Sequence, residues 1–150
     1  YTERYQDTHI WLAKYRPFTE NNKDAGFDNN LNYNNNYRYY RYAETLLNAA
    51  ELSVRTGGGN AATYLNEVRS RAGLGNIDAT IDNIIEERHL EFVGEGKRYW
   101  DLVRSGKAAS VLVPDQYGYR TNAWTESKKY IPIAQAEIDA AQGTLVQNNY

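Results

Sequence analysis

The sequence predicts a mostly α-helical chain that ends in an irregular, loop-rich C-terminal tail. Three observations carry this. Apolar residues recur at helical spacing in successive stretches: Tyr39, Tyr42, Ala43, Leu46, Ala49, Ala50 and Val54, then Tyr64, Leu65, Val68 and Ala72, then Ile81, Ile84, Ile85 and Phe92. Glycines punctuate them at Gly57-Gly58-Gly59, Gly73, Gly94, Gly96 and Gly106. After Gly106 the helical period is replaced by short apolar runs, Val111-Leu112-Val113 and Tyr130-Ile131, each closed by a proline.

In chain order, residues 1–36 read as an irregular, loop-rich segment and residues 37–150 as the helical region. Thr8 to Tyr15 fits a short helix or strand that Arg16-Pro17 ends. Between Asn21 and Asn36 eight Asn occur without periodicity of either kind, as in a long loop. The first helix stops at the glycine triplet. Asn60 is placed to cap the second, and Gly73 sits where a residue in the left-handed conformation would end it. These two helices are expected to run antiparallel. Thr80 is the N-cap candidate for a third helix from Ile81 to Val93, and Lys97 to Ser105 resumes as a fourth with Trp100 on its core face. Ile133 to Ala141 is expected to hold one helical turn.

The third helix contains a physical anomaly. Its apolar stripe includes Arg88, where a hydrophobe belongs, and a charge there needs a partner. Glu87, Glu91 and Glu95 follow one another at intervals of four, while Arg98, Asp101 and Arg104 follow at intervals of three on the next segment. With Arg41 and Glu44, these nine residues are expected to form a structural charge network.

Composition excludes several classes of function. At 150 residues the chain makes one domain, which at this size buries about 68–70% of its unfolded surface. A net charge of -2 and a pI near 5.7 give no footprint for nucleic acid. No apolar run suffices for a helical membrane span. The chain has no Cys and no Met, so disulfides are excluded, and Tyr1 is expected to be a processed or fragmentary start with any targeting signal upstream.

Several motifs, in order, resemble the SusD/RagB family of outer-membrane nutrient-binding lipoproteins. They are Arg41-Tyr42-Ala43-Glu44 with Leu46-Leu47 and Ala50-Glu51; Leu65-Asn66 with Val68-Arg69 and Arg71-Ala72-Gly73-Leu74; Glu87-Arg88, Glu91-Phe92 and Glu95-Gly96; Arg98-Tyr99-Trp100-Asp101-Leu102 with Arg104; and Ile131-Pro132-Ile133, Glu137-Ile138 and Gln147-Asn148. The resemblance covers Arg41 to Tyr150. It implies tetratricopeptide-like helix pairs and a non-catalytic binder at the surface of the outer membrane, held by a lipid anchor outside this fragment. The implied partners are a SusC-like TonB-dependent outer-membrane transporter and an oligosaccharide or peptide ligand. The same resemblance places most of the ligand-holding loops upstream of Tyr1. A different class of function, a free-standing helical-repeat module that binds a protein partner, fits the helix pairs without the resemblance.

Residues able to carry a site are few. Glu91, Glu95 and Asp101 could supply the carboxylate pair of a glycosidase, but interleaved arginines lower carboxylate pKa values where such an enzyme needs one raised. The glycine triplet follows a helix and lacks the Lys-Ser/Thr ending of a phosphate loop. His9 and His89 are too far apart for a helical metal pair, so neither metal nor cofactor is expected. Asp24, Asp28, Asn29 and Asn30 offer oxygen ligands without the spacing of a calcium loop. The remaining candidates are aromatic: Trp11, Tyr15, Tyr117, Tyr119 and Trp124, all in loop-like contexts. Each can stack on the C–H face of a sugar ring, and each can equally fill a core or an interface.

Overall fold

The structure, a computed structural model, describes residues 12–15 and 36–149. Within them the chain forms two compact units, one running up to Arg98 and the other starting at Tyr99. Helices and turns make up both, with no strand among the described residues. No described helix is long and apolar enough to cross a membrane. Most of residues 1–36 lie outside the description. Ala13–Tyr15 forms a single 3-10 turn.

The first unit is built on α1 (Tyr42–Thr56), α2 (Ala61–Arg71) and α3 (Ile81–Glu91). The short connection 57–60 returns α2 along α1, and these two share the largest interface of the unit. Leu46, Leu47 and Ala50 of α1 meet Leu65 and Val68 of α2 and Ile84 of α3, with Phe92 closing the cluster. Leu47, Leu65 and Ile84 are completely buried, each worth about 2 kcal/mol of apolar transfer.

Local chemistry sets the helix boundaries. Gly57 takes φ +74°, and the next amide, Gly58 N–H, reaches back to the Ser53 carbonyl at 2.7 Å, which closes α1. Gly73 repeats the device at φ +74°: its own N–H donates to Ser70 and that of Leu74 to Arg69, satisfying two carbonyls at the end of α2. The Thr80 hydroxyl accepts from Asn83 N at 3.1 Å and caps α3. Asn60 occupies the N-cap position of α2 without a side-chain capping bond.

The start of α1 differs from the sequence expectation. Arg41 is extended, at φ -148° and ψ 162°, so the helix begins only at Tyr42. Tyr39, expected on the apolar stripe, therefore precedes the helix and is 80% exposed, and Tyr42 is exposed as well. The side chain that turns inward at this end is Arg41.

In the second unit, α4 (Arg98–Arg104) and α5 (Ala108–Val111) bury Asp101, Leu102 and Ala108. Trp100, expected on a core face, is instead 46% exposed and meets the Tyr99 ring edge-on at 5.1 Å. The cause is register, because α4 is seven residues long and its buried side is set by Asp101 and Leu102. Val111, read as the start of an extended run, closes α5, with Leu112 N–H donating to the Ala108 carbonyl at 2.8 Å. Beyond it lie a 3-10 turn, Glu126–Lys129, and α6 (Gln135–Ala140), within the expected stretch. The Gln147 amide clamps the tail: its Oε1 accepts from Ile133 N at 2.9 Å and its Nε2 donates to the Ile133 carbonyl at 2.8 Å.

Candidate functional site

Two groupings of side chains stand out, one per unit. In the first unit, Phe92 lies between two guanidinium groups, Arg41 at 4.8 Å and Arg88 at 5.0 Å from its ring centroid. Arg41 Nε is 3.1 Å from both carboxylate oxygens of Glu95, and its Nη2 donates to Glu95 Oε1 at 2.8 Å and to the Glu91 carbonyl at 2.7 Å. Arg41 Nη1 pairs with the Glu91 carboxylate, and Lys14 Nζ with that of Glu95. Arg71 Nη2 donates to both carboxylate oxygens of Glu91, at 2.8 and 2.7 Å. Glu87 takes Arg69 Nη1 at 2.7 Å. Arg88 donates to Asn48 Oδ1 at 2.7 Å and lies 3.7 Å from Glu44, whose other oxygen is 3.1 Å from Lys97 Nζ.

Arg41, Glu44, Glu87, Arg88, Glu91 and Glu95 thus meet within one unit, but their partners come mainly from α2 and from Lys14. Arg98 instead faces Glu86 at 3.9 Å and the Ile85 carbonyl at 3.4 Å. Asp101 accepts from Arg104 at 2.8 Å within α4. Lys14, Asn48, Arg69, Arg71 and Lys97 escaped the sequence reading. Three glutamates spaced by four, two on α3 and Glu95 just beyond it, demand several cations, which was the one available signal.

Burial by itself would raise the Glu95 pKa. Hydrogen bonds and charge from Arg41 and Lys14 outweigh it and hold the carboxyl below its ordinary range. Burial likewise works to lower the Arg41 pKa, and Glu95 with Glu91 raises it. Carboxylates fixed in the ionised state are suited to holding helices together, not to donating a proton.

In the second unit, Tyr117 and Tyr119 stand on a turn that Asp115 organises. Asp115 Oδ1 accepts from Tyr117 N at 2.8 Å and from Tyr119 N at 3.2 Å, while Oδ2 accepts from Arg120 N at 2.7 Å. Asp115 N–H closes the turn onto the Arg120 carbonyl at 3.0 Å. A slight desolvation would raise this carboxyl's pKa. The backbone donors Tyr117, Arg120, Tyr119 and Gly118 outweigh it and lower the value. Gly118, at φ +77°, lets the chain bend between the two tyrosines. The rings are exposed, 69% for Tyr117 and 47% for Tyr119, with centroids 6.1 Å apart and planes inclined at 45°.

Trp124 is half-buried and engaged elsewhere. Its Nε1 donates to the Tyr99 hydroxyl at 3.2 Å, and it lines a cavity of about 120 Å³ with Val103, Ala108, Glu126 and Lys129. The candidate Trp11 falls outside the described residues, as does the calcium-loop candidate 24–30, and of Tyr15 only the backbone turn is described.

Known proteins agree with this fold. The family model described as SusD family matches residues 2–150. The solved surface glycan-binding protein A from Bacteroides thetaiotaomicron is 70% identical, with a TM-score of 0.91 over 100% of this chain and 32% of its own, and it has also been solved in complex with laminarihexaose. Surface glycan-binding protein A from Bacteroides uniformis is 64% identical, with a TM-score of 0.88 over 100% of this chain and 34% of its own. SusD-like protein P2 of Formosa agariphila is 31% identical over 98% of this chain and 32% of that relative. The chain therefore spans about a third of the length of these relatives. With a family match over nearly its whole length and a tetratricopeptide-type helical fold, the chain belongs to the SusD family.

Proposed function

We propose that this chain is part of a non-catalytic glycan-binding protein on the outer face of the outer membrane. The parent protein captures an oligosaccharide and hands it to a SusC-like TonB-dependent transporter, with a lipid anchor outside the fragment holding it at the membrane. The observation that carries this reading is the complex of the 70%-identical surface glycan-binding protein A with laminarihexaose, a β-1,3-linked glucose oligomer. This chain is 70% identical to that protein over the third of it that it spans, and on that likeness we extend the ligand class, β-glucan oligosaccharides, to the parent protein.

The first unit supports a scaffold role. Glycoside hydrolysis needs a carboxylic acid with a raised pKa beside a second carboxylate. Glu91 and Glu95 are tied to Arg41, Arg71 and Lys14, and the Glu95 pKa moves the opposite way. In the second unit, exposed aromatic rings on an ordered turn have the form a sugar-stacking surface requires.

The test is calorimetric titration of the full-length parent protein with laminarihexaose, with chromatography of the sugar after prolonged incubation. Saturable binding with the hexaose recovered intact is expected. Cleavage to shorter oligomers, or no binding alongside saturable binding of a peptide, would overturn the reading. Purification from detergent-solubilised outer membranes tests the hand-over, since a β-barrel transporter is expected to accompany the protein.

A further inference from the structure

We propose that a groove beside the start of α1, together with the strip of α1 that leads out of it, seats a further helix of the parent chain, one with an apolar face and a carboxylate. The proposal concerns how the parent protein is held together, so it rests on membership of the SusD family and not on the ligand. The groove, of about 460 Å³, opens between α1 and α2. Leu46 and Val68, both buried, form its floor, and Tyr42, Glu67 and the guanidinium groups of Arg38, Arg41 and Arg71 line it. The strip consists of Tyr42, Thr45, Ala49 and Leu52, which follow at intervals of three, four and three and so share one face of α1. Leu47 and Ala50, which pack in the core of the unit, lie on a different face.

Tyr42 is 66% exposed and Leu52 62%, at the two ends of the strip, with the exposed Thr45 and the half-buried Ala49 between them. Scattered singly, such residues need no explanation, but large apolar groups in line along a helix call for a second helix against them. The small side chains in the middle let its axis come close, and the large ones bracket it. Helix pairs of the tetratricopeptide type bury too little alone and are stabilised by stacking on neighbouring pairs. The neighbour is available, because the relatives of this chain are about three times as long as it is. Charge sets the character of the incoming helix. Arg41 is committed to Glu91 and Glu95, and Arg71 to Glu91 through Nη2. Arg38 is exposed and has no ion pair or hydrogen bond among the described residues. A guanidinium lining an apolar groove is matched best by a carboxylate. Glu67 on α2 would repel that carboxylate, so the acidic residue belongs on the Arg38 side.

The test is photo-crosslinking of the full-length parent protein with p-benzoylphenylalanine in place of Leu52, carried out on the isolated protein and on outer membranes, with the joined peptide identified by mass spectrometry. A crosslink within one polypeptide is expected, to a segment outside residues 1–150 that carries apolar residues at helical spacing and an Asp or Glu. A crosslink between isotopically light and heavy copies would give the strip to a second copy. One that forms only in membranes, to another protein, would give it to a separate partner, and no crosslink would leave it to solvent; each of these overturns the proposal. Arg38→Glu is expected to lower the thermal midpoint of the parent and Arg38→Lys to restore most of it, whereas a midpoint unchanged in Arg38→Glu would overturn the acidic match. Hydroxyl-radical footprinting of the unaltered parent decides the matter if the Leu52 replacement fails to fold. Tyr42 and Leu52 are expected to be oxidised several-fold more slowly than in the denatured chain, and rates close to those of the denatured chain would overturn the proposal. None of these readouts involves a sugar, so failure of the glycan-binding reading and failure of this one are told apart.

Discussion

Arg41 and Glu95, 54 residues apart, are joined by three hydrogen bonds of 2.8–3.1 Å, and the Arg41 guanidinium also covers the Phe92 ring. The first residue before α1 is thereby fastened to the chain just beyond α3. Glu95 is buried, and without Arg41 it keeps Lys14 but loses three hydrogen bonds in a poor solvent. Arg41→Met, which keeps the stem and removes the charge, is expected to destabilise the protein by about 3 kcal/mol. Urea unfolding measures this. A loss below about 0.5 kcal/mol, the range of a surface pair, would show that the network is ornamental.

The same carboxylate predicts an acid response. The Glu95 pKa is lowered in the folded state, so its contribution is fully present above the unfolded carboxylate value of about 4.3 and is lost as pH falls through the folded value. Glu95→Gln should therefore cost stability at neutral pH, and the gap to wild type should narrow as the solution is acidified below about pH 4. A gap that stays constant down to pH 2 would mean that Glu95 is not held ionised by its partners.

Gly94 sits at φ +78°, and a Cβ built there would meet Leu12 Cδ2. The left-handed backbone opposes a methyl group, while the exposed Leu12 side chain can shift aside. Gly94→Ala is expected to cost about 1–2 kcal/mol from the backbone conformation alone. Gly75, with ordinary φ and nothing within 4 Å of a built Cβ, is the control, and Gly75→Ala should be close to neutral. Thermal unfolding of the two variants decides the matter, and equal midpoints would refute the distinction.

What could be read in the sequence was what local chemistry determines. Thr80, Gly57 and Gly73 end or begin helices through bonds that span a few residues, and Arg88 announced a buried charge by its place on an apolar stripe. What could not be read was which distant group meets which. Arg69 and Arg71 reach Glu87 and Glu91 across the turn between α2 and α3, and Lys14 reaches Glu95 from 81 residues away. Spacing within one helix cannot choose such partners, and so the arginines of α4 were favoured by proximity alone. The exposed Trp100 shows the same limit, because a seven-residue helix contains too few turns for its buried side to be read from periodicity. Tyr117 and Tyr119 were picked out by type, while the turn that carries them is set by Asp115 and Gly118.

The Asn66 amide supports a final prediction. Its Nδ2 donates to the Ile77 carbonyl at 3.0 Å and its Oδ1 accepts from Ile77 N at 2.9 Å, so one side chain of α2 satisfies both backbone polar groups of a residue in the connection to α3. Ile77 packs against the core, and its peptide groups have limited access to water in compensation. Asn66→Leu removes both partners at once and should cost about 1–3 kcal/mol for each group left unsatisfied. Asn66→Asp keeps the acceptor for Ile77 N–H but sets an oxygen against the Ile77 carbonyl, so it should be destabilising at neutral pH and recover in acid, where the protonated carboxyl can donate. Hydrogen exchange localises the effect: the Ile77 amide should lose protection in Asn66→Leu, while Ile133, held by Gln147 in the same way, should keep it. Unchanged protection at Ile77 would show that packing around Ile77, not the Asn66 amide, fixes the connection.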